Sequence, residues 1–172
     1  MAGDATKHRK YTSLFIVPEK EIPTAGETPT DNLLDVFRVI TQMEKICTDQ
    51  DGIGLAATQL GVPWNLCVIL RDEKYEYYLN CSYVGIGEKQ KSIEGCLSLR
   101  NSTGKLRRFE VDRFSTISVK GKRLKISNSP SLILEDVDKV EHGLFAHVFQ
   151  HELDHISREN MIDRIGVEIE II

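Results

Sequence analysis

Apolar residues between Leu33 and Asp49 fall at positions 33, 36, 37, 40, 43 and 47, the spacing of one helix face. Thr30 or Asp31 stands where a capping side chain would open that helix. Pro18, Pro23, Gly26 and Pro29 make residues 18 to 32 an irregular approach to it. The segment DGIGLAATQLGVP then reads as a connection in which Gly52, Gly54 and Gly61 permit close backbone approach. WNLCVIL, 64 to 70, predicts a buried strand, and EYYLN, 76 to 80, its neighbour across the charged RDEK turn. Further on, STISVKGKRLKIS holds two β-prone runs about Lys120-Gly121-Lys122, the pattern of a hairpin. An acidic stretch, EDVDKVEHG, leads to a helix beginning near Leu144. Leu144, Val148, His151, Glu152 and His155 form one stripe of it, and Phe145, Phe149, Leu153 and Ile156 another. A helix clothed on both sides is predicted to be central and buried, so its charged residues need partners there. The tail VEIEII alternates Val167, Ile169 and Ile171 with acids, as a final edge strand does.

That central helix carries the chemistry. In QHELDH, 150 to 155, His151 and His155 lie one turn apart, about 6 Å along the axis, so their imidazoles can converge on one ion. Glu152, beside the first histidine, is placed to serve a water molecule as acid and base, which is the physical content of an HExxH arrangement. His147 lies on the same side, but it is about 12 Å from His155 along the axis, too far to share an ion bound at about 2 Å. It reads as a packed histidine lining the site. The fold class that follows is α+β: mainly antiparallel β-sheets packed around a central buried helix carrying the HExxH metal-binding motif, with the 33 to 48 helix outside.

Size and composition narrow the rest. A chain of 172 residues, 41% hydrophobic and 28% charged, is long enough for one core and short for two, so residues 1–172 read as one catalytic domain. No apolar run is long enough to span a bilayer. MAGDATKHRKYTS lacks the apolar stretch of a signal peptide, so the expected location is cytoplasmic, or an organellar matrix if a transit segment has been removed. The net charge of -4 argues against general nucleic-acid binding. Even so, nine Lys or Arg residues lie between Arg100 and Lys125 against Glu110 and Asp112, which fits solvated loops around a hairpin, or an electrostatic contact with RNA or an anionic partner.

A catalytic metal commonly has three protein ligands and one open position, and Cys96 in EGCLS is the candidate third, since a thiolate is stabilised by the ion. Two other classes remain at this point. Cys47, Cys67 or Cys81 would close a four-ligand structural site, although no pair has the close zinc-motif spacing and the settings of Cys47 and Cys67 are those of buried thiols. Cys96 activated by a histidine would make a cysteine hydrolase. An HExxH endopeptidase is a further reading of the helix alone.

Three segments taken in order, GIGLAATQ at 52 to 59, EGCLS at 94 to 98 and QHELDH at 150 to 155, resemble peptide deformylase. GVP at 61 to 63, Val111 with Arg113, and Gly143 opening the last helix extend the likeness. The resemblance implies Cys96, His151 and His155 as metal ligands and Glu152 as general acid/base. It further implies Gln59 and the Leu97 backbone amide as donors to the oxyanion, and Gly54 as the residue whose backbone meets the substrate. Ile53, Leu144 and His147 would line the methionine pocket, and Glu94 and Asp154 read either as carboxylates that orient a ligand or Arg113 or as local structural pairs. The implied reaction removes formate from N-formylmethionyl peptides or nascent chains. The implied metal is one divalent ion, Fe2+ in the cell, with Zn2+ or Ni2+ possible after purification. A monomer with transient ribosome association, no stable nucleic-acid complex and no membrane partner completes the expectation. The chain departs from the family at Leu99-Arg100, at Ile156-Ser157-Arg158, in a longer stretch before Arg113, and in ending on a strand rather than a long helix.

Overall fold

The computed structural model describes residues 13 to 127 and 131 to 170. Its elements in chain order are α1 (Leu33–Asp49), β1 (Gly54–Ala56), β2 (Leu66–Arg71), β3 (Lys74–Gly85), β4 (Lys89–Arg100), β5 (Leu106–Phe114), β6 (Thr116–Ile126), β7 (Leu132–His142), α2 (Gly143–Ser157), α3 (Ile162–Ile165) and β8 (Val167–Ile169). One five-stranded antiparallel sheet has the order β1-β2-β3-β6-β7, and a second of three strands has the order β4-β5-β8.

At β2 the larger sheet is buried on both faces. Leu66 and Val68 point to one cluster, Cys67 and Ile69 to the other, and all four are buried. A continuous apolar run is the sequence such a strand requires. On the first face lies α1, through Val36, Val39, Ile40, Met43 and Cys47. On the second lies α2, through Ala146, Val148, Phe149, Leu153 and Ile156. Each large side chain buried this way contributes roughly 1.5–3 kcal/mol. The three-stranded sheet packs Cys96, Leu99, Phe109 and Val111 with Ile162 of α3. Gln150 ties this sheet to α2: its amide oxygen accepts from Phe114 N at 3.0 Å, and its nitrogen donates to Phe114 O at 2.9 Å.

Several local expectations are corrected. The helix cap is Asn32, whose side chain accepts from Asp35 N, and not Thr30 or Asp31. Lys120-Gly121-Lys122 is no hairpin turn, because β6 runs straight through it and pairs with β7 from Thr116↔His142 to Ile126↔Leu132. The glycine is required by a neighbour. Between Leu79↔Lys122 and Ser82↔Lys120, Asn80 and Cys81 of β3 face Gly121 alone, a bulge with Asn80 at φ 52. A Cβ on Gly121 would lie 2.4 Å from Cys81 Sγ and 2.7 Å from its Cα. The bulge also exchanges faces: Tyr75, Tyr77 and Leu79 look toward the α1 cluster, whereas Cys81 and Tyr83 beyond it look toward α2.

The acidic stretch before α2 is itself a strand. Asp136, Asp138 and Glu135 of β7 pair with Lys122, Lys120 and Lys125 of β6, the opposite-charge cross-strand contacts that stabilise an antiparallel ladder. With Arg107 on Glu168, Arg123 on Glu76 and Arg113 on Glu94 and Asp154, most of the basic run is held by carboxylates of this chain. The terminal strand forms as β8 on the edge of β5; Ile171 and the stretch before residue 13 lie outside the described residues. Among the described residues, no helix is long and apolar enough to cross a membrane.

Candidate metal centre

On α2, His151 and His155 bring their Nε2 atoms within 3.2 Å of each other, ring planes inclined at 70°. Cys96 Sγ stands 3.2 Å from His155 Nε2, and the three donor atoms all lie within 4.8 Å of one another. Cys96 reaches this point because β4 leaves its ladder there. After Gly95↔Arg108 the pairing resumes only at Arg100↔Leu106, so the strand bulges and delivers the sulfur, 1% exposed, to the helix.

The expected fold description is corrected here. α2 does not bear the metal-binding unit as an HExxH motif; it bears two of three donors, and the site is Cys96–His151–His155. The physical reason is that two neutral imidazoles leave a divalent ion short of both charge and coordination, and the anionic sulfur comes from a strand of the other sheet.

The donor set fits a divalent transition metal. Glu94 Oε2 lies 2.8 Å from His151 Nδ1. A carboxylate only accepts, so Nδ1 carries the proton and the Nε2 lone pair is turned to the site. Burial opposes charge on His151, yet Cys96 and Glu94 outweigh it and raise its pKa well above the usual value. Burial, then the neighbouring His151, hold His155 well below the ordinary value, in the neutral form that ligates. Arg113, 2% exposed, grips both oxygens of Glu94 and fixes it behind the ligand. Cys47, Cys67 and Cys81 lie outside this cluster; burial pushes the Cys47 thiol up to about 12 and Cys81 to about 11, as for inert core thiols.

Glu152 lies beside the donors and is buried, and its Oε2 has no hydrogen-bond partner. A buried acceptor left so is costly unless something bound in the site serves it. Burial, reinforced by Glu94 and opposed by His151, pushes its pKa up to about 7. Such a carboxyl exchanges its proton near neutrality. Gln59 sits on the turn after β1: its Oε1 accepts from Ala56 N at 2.9 Å, and its Nε2 lies 3.5 Å from Cys96 Sγ and 3.2 Å from Ser98 Oγ. Leu97 occupies the β4 bulge and packs with the α1 cluster.

A cavity of about 270 Å³ opens onto this centre, with Gly54, Gln59, Leu97, His151 and Glu152 in its wall. Ile53 and Leu144, 49% and 62% exposed, stand at its edge with His147. The His147 ring receives Gln90 Nε2 at Nε2, 3.0 Å away. Gln90, which contacts His147, carries no role in the sequence, and Arg108, in the cavity wall, is read there only as part of the basic run. Neither carries a local signal, because their places depend on β4 and β5 folding back over α2.

A model of the family described as polypeptide deformylase matches residues 26 to 168. A peptide deformylase of Heliobacterium modesticaldum is 30% identical over 128 residues, which are 74% of this chain and 76% of that protein. One of Syntrophomonas wolfei is 33% identical over 129 residues, 75% of this chain and 76% of the relative. The crystal structure of the Thermotoga maritima peptide deformylase aligns with a TM-score of 0.72 at 26% identity, over 90% of this chain and 98% of that one. Relatives, fold and donor set converge, and the chain belongs to the polypeptide deformylase family.

Proposed function

We propose that this chain, acting as one catalytic unit over residues 1–172, hydrolyses the formyl group of N-formylmethionyl peptides or nascent chains, releasing formate and a free amine. The observation that carries this reading is the convergence of Cys96, His151 and His155 beside the buried Glu152, with His151 and Glu152 in the wall of the cavity. A divalent ion held by the three donors supplies Lewis acidity and makes a neighbouring water easier to deprotonate. Glu152 takes the proton of the attacking water and returns it to the nitrogen as the C–N bond breaks; a carboxyl poised near pH 7 suits both directions. Gln59 Nε2 and the Leu97 backbone amide donate to the carbonyl oxygen as it gains charge. Gly54 meets the peptide backbone, while Ile53, Leu144 and His147 flank the methionine side chain.

Fe2+ is the proposed cellular ion, with Zn2+ or Ni2+ in purified samples; mixed sulfur and nitrogen donors suit all three. The protein is proposed to work as a cytoplasmic monomer in transient contact with the ribosome, without a stable nucleic-acid complex. The internal pairing of most basic residues between 100 and 125 favours the last point. The test is formate release from formyl-Met-Ala-Ser. It is expected before chelation, absent after it, and restored by Fe2+ under anaerobic conditions. Cleavage of internal bonds in unformylated peptides, without formate release, would replace this reading with an endopeptidase.

A further inference from the structure

His151 is braced from behind by more than Glu94. Arg113 donates from Nε to Glu94 Oε1 at 2.8 Å and from Nη2 to Glu94 Oε2 at 2.9 Å, and its Nη1 donates to Asp154 Oδ2 at 2.5 Å. Arg113 and Asp154 are each 2% exposed. One guanidinium therefore serves two buried carboxylates, and in a setting of low polarity the two compete for it. A carboxylate that lacks other donors pulls harder on the shared cation.

Asp154 has another donor. Its Oδ1 lies 2.9 Å from the Tyr83 hydroxyl, and a carboxylate cannot donate, so the phenol does. Tyr83 faces α2 only because the Asn80–Cys81 bulge reverses the sidedness of β3. In an unbulged strand of the same length it would turn to the opposite face of the sheet.

We propose that Tyr83 is a positioning residue of the metal centre. By satisfying Asp154 it leaves Arg113 to hold both oxygens of Glu94, and Glu94 in turn fixes the tautomer and aim of His151. Tyr83 touches no ligand and acts through three intermediaries. The inference rests on Cys96–His151–His155 being the metal site, but it does not depend on which substrate is hydrolysed.

The test uses the whole chain stripped of metal and titrated with Co2+, with affinity and the visible absorption spectrum as readouts and no formyl peptide present. Tyr83→Phe keeps the ring packed against α2 and removes only the hydroxyl. It is expected to weaken Co2+ binding about tenfold, as for other residues that orient a ligand, and to alter the ligand-field bands. In an Asp154→Asn background, adding Tyr83→Phe should change affinity little further, because the route passes through Asp154. That pair of variants carries no charge at 154 and, set beside Tyr83→Phe alone, shows whether the effect passes through Asp154. Wild-type affinity and spectrum in Tyr83→Phe would overturn the proposal. So would a full tenfold loss on adding Tyr83→Phe to Asp154→Asn. Absence of formyl-peptide hydrolysis in a wild-type chain that binds Co2+ would count against the proposed reaction and leave the comparison of the variants unaffected.

Discussion

Glu152 has room because residue 54 has no side chain. A Cβ there would fall 2.5 Å from Glu152 Oε1 and 3.0 Å from its Cδ. Gly54→Ala is therefore expected to push the carboxylate aside, lowering turnover of formyl-Met-Ala-Ser about 10²-fold, the order of loss for a misplacement near 1 Å. Metal content, measured by elemental analysis, should stay unchanged. Glu152→Gln should likewise retain metal and lose roughly 10²–10⁴-fold in turnover, the usual worth of a general acid/base. His151→Ala should instead lose the metal. The contrast between these variants separates proton transfer from ligation. His151, Glu152 and His155 were readable from sequence because their relation is local, fixed by one turn of helix. The reason for Gly54 was not, since it depends on α2 crossing β1, and neither was the Gln90–His147 contact.

Among the elements, those with one consistent period were read correctly: α1 by its helical stripe, β2 by its apolar run, β8 by alternation. Where a strand's outer face is charged, the pattern misled. β7 read as an acidic lead-in because its carboxylates belong to lysines on β6, and Gly121 read as a turn because its neighbour in space, Cys81, is forty residues away in the chain. Gly121→Ala is expected to overpack this junction and cost about 1–3 kcal/mol, seen as a lower urea midpoint with an unchanged slope. At the end of β7, Lys139 and Arg71 outweigh burial and hold the Glu141 carboxyl below its ordinary 4.5. A depressed folded pKa means the stabilisation is full above pH 4.5 and is lost as pH falls through the lower folded value. Glu141→Gln should thus destabilise at pH 7 and lose that penalty progressively in acid. Urea midpoints of both proteins, compared at pH 7 and in acid, check the sign.

For the whole molecule, the centre adds a further link between layers already joined by packing, by Gln150 on Phe114 and by Arg113 on Asp154: a strand of the smaller sheet supplies Cys96, and the helix against the larger sheet supplies both histidines. Metal should therefore stabilise the folded chain by about 2.7 kcal/mol at free concentrations a hundredfold above Kd. Thermal unfolding with and without chelator, followed by Fe2+ or Zn2+ addition, measures it; an unchanged midpoint would mean the ion is held without coupling to the fold. The ordered segments made the family legible from sequence, whereas the two-sheet layering was not, because nothing local tells which strands share a sheet. The division of ligands also orders events during synthesis. Cys96 precedes His155 by 59 residues, so a growing polypeptide exposes its sulfur long before either imidazole exists. Ion capture is then among the last acts of maturation, and a chain arrested anywhere ahead of residue 151 has nothing with which to complete it.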